Sequence, residues 1–405
     1  MTPSIPTASL PRADAASGAQ PAHWGGVLAM TLCVFALIAS EFMPVSLLTP
    51  LAADLHVTEG MAGQGIAMSG AFAVLASLSI PVIAGRVDRK TLLLSLTASM
   101  CLSGVVVALA PDYPTYMAGR ALIGVVVGGF WSLSAATAMQ LVPPPQVPRA
   151  LAVFNSGNAL ATVVAAPLGS YLASVMGWRG AFLCLVPIAV LAFVWQWFSL
   201  PTMKPQPRGR GAGNVFKLFR QRQVALGMVA VGVFFMGQFA LFTYLRPFLE
   251  TVTQVDVSTL SLLLLTLGAV GFVGTTLIGR VLEIGFFRTL TIIPLLMAAI
   301  AVALMASGTS LPVTTLLLGA WGLVATAAPV GWWLWVARTL PNDAEAGGGL
   351  MVAVVQLSIA LGSTAGGLLF DARGYRSTFA FSAVLLLIGA FLVVLTARAG
   401  RTASS

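Results

Sequence analysis

Residues 25–50 read GGVLAMTLCVFALIASEFMPVSLLTP, a run of twenty-six in which one residue, Glu41, carries a charge. As a helix this run is about 39 Å long, more than the roughly 30 Å hydrocarbon core of a bilayer. Working outward, the same texture recurs near 65–84, 91–110, 116–142, 150–173 and 180–199. After one polar interruption it returns near 224–247, 259–280, 289–308, 313–337, 347–370 and 378–397. Each run predicts a membrane-crossing helix. The reading is an all-α integral membrane protein with twelve transmembrane helices in two six-helix bundles. Composition points the same way: 58% of residues are hydrophobic and only 8% charged, against about 25% charged in soluble domains. So few charges cannot cover a water-facing surface, which makes the lipid bilayer the solvent for most of the chain.

The expected organisation is a disordered cytoplasmic tail at 1–23, an N-terminal bundle at 24–199, a basic linker at 200–223, a C-terminal bundle at 224–397 and a second tail at 398–405. The first tail lacks a basic segment running into a short apolar stretch with a cleavage site, so it is not read as a signal peptide. The linker carries Lys204, Arg208, Arg210, Lys217, Arg220 and Arg222 and no acidic residue. Loops on its side add Arg86, Arg89, Lys90, Arg149, Arg280, Arg288, Arg338, Arg398 and Arg401. The opposite loops hold Asp54, Glu59, Asp112, Glu250 and Asp256, with Arg179, Arg373 and Arg376 as their basic residues. By the positive-inside rule the linker and both termini are cytoplasmic. That placement accounts for the net charge of +9 without a nucleic acid partner.

Cys33, Cys101 and Cys184 lie inside apolar runs with no CxxC spacing, and His23 and His56 are far apart. Neither a disulfide framework nor a metal site is expected. No GxxxxGK[ST] loop is present to hold a nucleotide phosphate. The chain therefore reads as neither an enzyme nor an ATP-driven pump, and a proton gradient, with no cofactor, is its expected energy source.

The two halves repeat weakly. Gly85-Arg86-Val87 matches Gly279-Arg280-Val281, Gly177-Trp178-Arg179 with Phe182 matches Gly374-Tyr375-Arg376 with Phe379, and Pro50 matches Pro247, at offsets between 194 and 197 residues. Such a repeat places a small-molecule site near mid-membrane between halves that rock to alternate access.

Within the spans, Glu41 is the one acidic residue far from any loop. A carboxylate at that depth costs about 2.5–3.5 kcal/mol to insert, so it is a functional candidate by default. Desolvation favours the neutral form of a carboxyl, which suits a group that takes up and releases protons. A purely structural, hydrogen-bonded carboxyl is the alternative. Arg120 heads a column with Gly124, Gly128 and Ser132 at spacing four, one face of a helix. It is expected to approach Glu41 when Glu41 is ionised; the alternative is an interfacial anchor. Neither residue has a counterpart at the repeat offset. Asn155, Asn158, Gln238 and Gln356 supply amides, and Trp131, Trp332, Trp333 and Trp335 supply aromatic faces. Together they suit a neutral planar solute with sugar hydroxyls, while helix bridging and interfacial belts remain the alternatives. Arg246, followed by Pro247, reads as an anchor for the seventh span.

These residues resemble the major facilitator superfamily, in its twelve-span drug–proton antiporter branch. Gly85-Arg86-Val87-Asp88-Arg89-Lys90 resembles a shortened form of that family's cytoplasmic loop signature, and Arg120 with Gly124 and Gly128 matches its fourth-helix signature. Ala166-Pro167 stands where Gly-Pro is usual. Residues 41–50, Gly128-Gly129-Phe130-Trp131-Ser132, Leu141-Val142-Pro143-Pro144, Pro329-Val330-Gly331-Trp332 and residues 352–357 are similar to purine ribonucleoside efflux pumps of that branch. The resemblance implies a monomer in the bacterial inner membrane that exports inosine, guanosine and their analogues in exchange for protons. Glu41 and Arg120 would form the proton-coupling pair, Gly85, Asp88 and Arg89 a gating loop, and the amides and tryptophans the solute site. Three rivals remain: an efflux pump of the same fold for sugars or drugs, a proton-symporting importer, and a non-transporting membrane sensor or scaffold.

Overall fold

The computed structural model describes residues 22–84, 86–203, 215–340 and 344–403. The described residues are helical, with no strand. Most of the first tail, the linker residues 204–214 with Lys204, Arg208 and Arg210, and Gly85 of the expected gating loop lie outside them.

The first half consists of α1 (Trp24–Asp54), α2 (Glu59–Ala84), α3 (Arg89–Ala108), α4 (Tyr113–Leu141), α5 (Val147–Leu183) and α6 (Leu185–Ser199). The second half holds α7 (Arg222–Phe242), α8 (Leu245–Thr251), α9 (Val257–Ile284), α10 (Phe286–Ser307), α11 (Leu311–Ala325), α12 (Ala328–Thr339), α13 (Ala344–Arg373) and α14 (Tyr375–Ala403). Among the described residues, eleven stretches are long and apolar enough to cross a membrane, and one of them, Pro144–Ser199, is 56 residues long. A helix of 56 residues would run about 84 Å, so that stretch makes two crossings. The total is twelve.

Several helices begin earlier than the apolar runs because polar caps extend them. Asp88, Asp112 and Asp256 accept hydrogen bonds from the first-turn amides of α3, α4 and α9, satisfying donors that a helix start leaves open. The seventh and tenth crossings are each split in two. Pro247 has no N–H for the carbonyl of Thr243, where α7 stops, and Pro329 has none for Ala325, where α11 stops.

The internal repeat is visible in the backbone. Gly177 and Gly374 both take positive φ, 75° and 74°, a conformation that glycine adopts without steric cost. Each turns the chain within one residue, between the fifth and sixth crossings and between the eleventh and twelfth. Around the first of these turns Trp178 Nε1 donates to Asp54 Oδ2 at 3.1 Å, Arg179 pairs with the same carboxylate, and Arg179 also reaches the Ala110 carbonyl at 2.7 Å. The motif thus ties together the ends of α1, α3 and α5.

Each half has its own apolar core. Three fully buried residues cross over: Tyr244 packs into the first core, and Val45 and Ile66 pack into the second. The halves meet along α2 and α13, along α5 and α9, and between α1 and α8. One face of α13 forms a seam. Asp371 accepts from the Thr58 hydroxyl at 2.6 Å and from the Gly60 amide at 2.9 Å, so it caps α2 from the opposite half. Thr364 donates to Gln64 Oε1 at 2.9 Å. The Tyr244 hydroxyl, fixed by the Ser363 carbonyl of its own half at 2.8 Å, also lies 3.5 Å from the Gly60 carbonyl of α2. These contacts hold the halves together at the end bearing Asp54 and Glu59.

Asp371 is exposed, so its two cross-half bonds together are worth about 1 kcal/mol. Asp371→Ala should therefore shift the ratio of closed to open at this end about fivefold toward open. Spin labels at Ser174→Cys and Ser258→Cys, in a background without the three native cysteines, will report that opening. An unchanged distance distribution would sink the latch.

Candidate functional site

The site is built around two prolines inside α1, Pro44 and Pro50. Proline offers no N–H, so each deprives the carbonyl four residues earlier of its helical donor: Ser40 for Pro44 and Ser46 for Pro50. Within a bilayer an unsatisfied carbonyl is expensive. Both carbonyls are met by arginines. Arg120 of α4 donates from Nη1 to Ser40 O at 2.7 Å. Arg246 of α8, from the other half, donates to Ser46 O.

Arg120 is 1% exposed. It also donates from Nη2 to the Glu41 carbonyl at 2.9 Å and to Ser69 Oγ at 3.1 Å, and from Nε to the Gly65 carbonyl at 3.1 Å. Its planar fork thus grips the backbones of α1 and α2 together. Gly124 and Gly128 make this possible, since a Cβ at either would collide with the carbonyl oxygens of Ser69 and Ala73 in α2. The expected approach of Arg120 to Glu41 takes a particular form: the guanidinium holds the Glu41 main chain. Among the described residues no carboxylate lies within ion-pair distance of it.

The Glu41 side chain is 3% exposed and turns toward the other half, where Glu41 Oε1 accepts from Gln356 Nε2 at 3.1 Å. The next residue, Phe42, stacks on Phe239, with centroids 5.6 Å apart. The carboxyl therefore sits in the contact between the halves, level with the start of the α13 seam. The other amide oxygen there, Gln356 Oε1, is buried with no hydrogen-bond partner, as is Gln238 Oε1 on α7.

The remaining residues separate into two groups. Asn155 and Asn158 lie on the face of α5 that meets α9 further along, at Thr162, Val163 and Ala166. Asn155 is exposed, and Asn158 donates to it at 3.2 Å. Trp131 is half-buried, edge-on to Phe130, and Trp333 is 44% exposed. Trp332 is 2% exposed, and together with Trp335 and Phe234 it forms part of the second core, where no face is open to a solute. Asp88 caps α3, and the Arg89 amide donates to the Met203 carbonyl at 3.1 Å, tying this loop to the start of the linker.

Arg246, read as an anchor, is instead 5% exposed and crosses between the halves, with Glu250 accepting from its Nε at 2.8 Å. Pro50 was the signal in the sequence that such a donor was needed. Asp371, Thr58, Gln64 and Thr364 carried no comparable signal.

A profile of the Major Facilitator Superfamily matches residues 30–351. The chain is 65% identical over 382 residues to the transcription regulatory protein OpdE of Pseudomonas aeruginosa, covering 94% of this chain and 95% of that protein. It is 38% identical over 383 residues to the purine ribonucleoside efflux pump NepI of Salmonella enteritidis, covering 95% and 96%. Among solved structures it resembles a bacterial homologue of the human lysosomal transporter Spinster, inward-facing and unoccupied, with a TM-score of 0.76 at 16% identity over 94% of this chain and 98% of that one. The human organic anion transporter MFSD10 gives 0.66 at 17% identity over 92% and 100%. At these identities the solved structures show a shared fold.

The pairing of proline with arginine is open to a double-mutant cycle read by thermal unfolding in detergent. Arg120→Ala strands buried carbonyls and should cost about 3 kcal/mol or more. Pro44→Ala returns a helical donor to Ser40, so the double variant should recover about 1 kcal/mol relative to the sum of the singles. Strict additivity would break the link.

Proposed function

The chain belongs to the major facilitator superfamily and is a multi-span membrane transporter, and from that premise we propose that it exports purine ribonucleosides, such as inosine and guanosine, in exchange for protons. The observation that carries the reading is Glu41: a carboxyl buried where the halves meet, bonded to Gln356 of the opposite half. A carboxyl at this depth changes its interactions sharply on gaining a proton, because the ionised form only accepts hydrogen bonds while the protonated form also donates. Since its partner lies in the other half, that change bears on the contact that must break for access to alternate.

Arg120 holds the α1 backbone on either side of the broken ladder, which fixes where the carboxyl sits. For the solute, Asn155, Asn158 and Gln238 offer amides that pair with base edges and ribose hydroxyls, and Trp131 and Trp333 offer faces on which a purine stacks. The relative named as a purine ribonucleoside efflux pump, 38% identical over almost the whole chain, supports this solute class. The basic linker side is assigned to the cytoplasm by the positive-inside rule, and the likeness to bacterial efflux pumps supports a bacterial inner membrane as the host.

A second reading is favoured by the relative named as a transcription regulatory protein, 65% identical. In it, the chain alters gene expression without moving a solute.

Inside-out vesicles with an acid interior should accumulate labelled inosine, and Glu41→Gln should reduce gradient-driven uptake by about tenfold or more. Uptake by the variant equal to wild type would remove Glu41 from the mechanism. No inosine uptake by wild type, with uptake of a sugar or a hydrophobic cation in its place, would overturn the solute. If wild type moves no solute, yet the wild-type chain and Glu41→Gln both fully complement the transcript changes of a deletion strain, the regulatory reading prevails.

A further inference from the structure

The cross-half bond at Glu41 has an unusual partner. Gln356 is 5% exposed, donates through Nε2 to Glu41, and leaves Oε1 buried with no donor. Leaving an acceptor unpaired in a buried site is costly, so the arrangement suits one charge state of Glu41 and is poor for the other.

We propose that Gln356 is the positioning residue through which the second half reads the charge on Glu41, by a half-turn of its amide. The proposal rests on Glu41 as the proton carrier. While Glu41 is ionised, its carboxylate accepts from Nε2. When the carboxylate takes up a proton, its new hydroxyl needs a buried acceptor, and the unpaired Oε1 of Gln356 supplies one. Rotation about the last side-chain torsion exchanges Oε1 and Nε2, and that torsion is broad and roughly two-fold, so the turn is soft. The main chain has no such freedom. Gly70 of α2 sits so close that a Cβ there would lie 2.8 Å from the Gln356 carbonyl oxygen. The side chain must therefore answer the proton.

The consequence runs two ways. On the side away from Glu41, the amide presents an acceptor when Glu41 is ionised and a donor when it is protonated, so a solute reaching it meets opposite hydrogen-bonding groups in the two states. Along α13, Gln356, Thr364 and Asp371 follow at spacings of eight and seven residues, close to whole numbers of turns. The amide is thus the innermost rung of the seam that closes the Asp54 end. Arg120, from α4, is the charged side chain that bears on Glu41. The charged residues Asp54, Glu59, Asp371 and Arg373 of α1, α2 and α13 lie at helix ends, as does Arg222 of α7, and Arg246 is engaged by Ser46 and Glu250.

Infrared difference spectra of the purified protein on acidification test this without any solute. Wild type should show a carboxylic C=O band accompanied by a change in a side-chain amide band, and both should vanish together in Glu41→Gln. Gln356→Leu and Gln356→Asn, the latter withdrawing the amide by one methylene, should each shift the pH midpoint of the carboxylic band. In vesicles, both should also flatten the pH profile of inosine uptake, lowering its acceleration by the gradient about tenfold. A wild-type carboxylic band with no amide change, or midpoints and profiles in both variants matching wild type, would overturn the relay. If wild type moves no inosine while the paired bands persist, the solute assignment fails and the relay stands.

Discussion

A bilayer tolerates no unsatisfied backbone, and α1 breaks its own hydrogen-bond ladder twice. Pro44 and Pro50 each remove a donor, and the two freed carbonyls are the points at which α1 is held by something else. One is claimed by Arg120 from within the first half, the other by Arg246 from the second. The first arginine is permanent scaffolding, since it joins α1 to α2 and α4, which share a core. The second spans the boundary between the halves. Glu41 stands between these two fixings, one residue after Ser40 and five before Ser46. Its backbone is held by one half and its carboxyl is bonded to the other.

The fold was legible because burial in lipid imposes one rule on every span. Runs such as 25–50 and 378–397 could be counted, and the offset between Gly177-Trp178-Arg179 and Gly374-Tyr375-Arg376 reappears as two glycines with almost the same positive φ. The breaks in the seventh and tenth crossings were written in Pro247 and Pro329, but a run of apolar residues hides them. Within the site, Glu41 and Arg120 stood out because a charge in an apolar run is conspicuous. What they touch was not visible: a guanidinium gripping carbonyls leaves no trace in composition, and the partner of Glu41 lies 315 positions away. Trp332 shows the opposite difficulty. A tryptophan that packs a core and one that faces a solute look alike until its neighbours are placed.

The seam on α13 adds an asymmetry to a repeated architecture. The glycine turns belong to scaffold and occur twice, whereas Glu41, Arg120 and the Asp371 cap each occur once. The duplicated frame recurs in both halves, and the singular residues gather at the contact between them. The cap is economical physically: the carboxylate of Asp371 meets the Gly60 amide and the Thr58 hydroxyl at the start of α2, where the helix dipole favours negative charge.

The two one-residue turns have a further consequence for the molecule's outer surface. At the Asp54 end the connections are residues 55–58, 109–112, 252–256 and 308–310, and the other two are Gly177 and Gly374 alone. A protease needs a strand of chain it can draw into its cleft, and an antibody needs a protruding surface. Helices that reverse within one to five residues offer neither, so the compartment facing this end meets a surface that is hard to cut, tag or recognise.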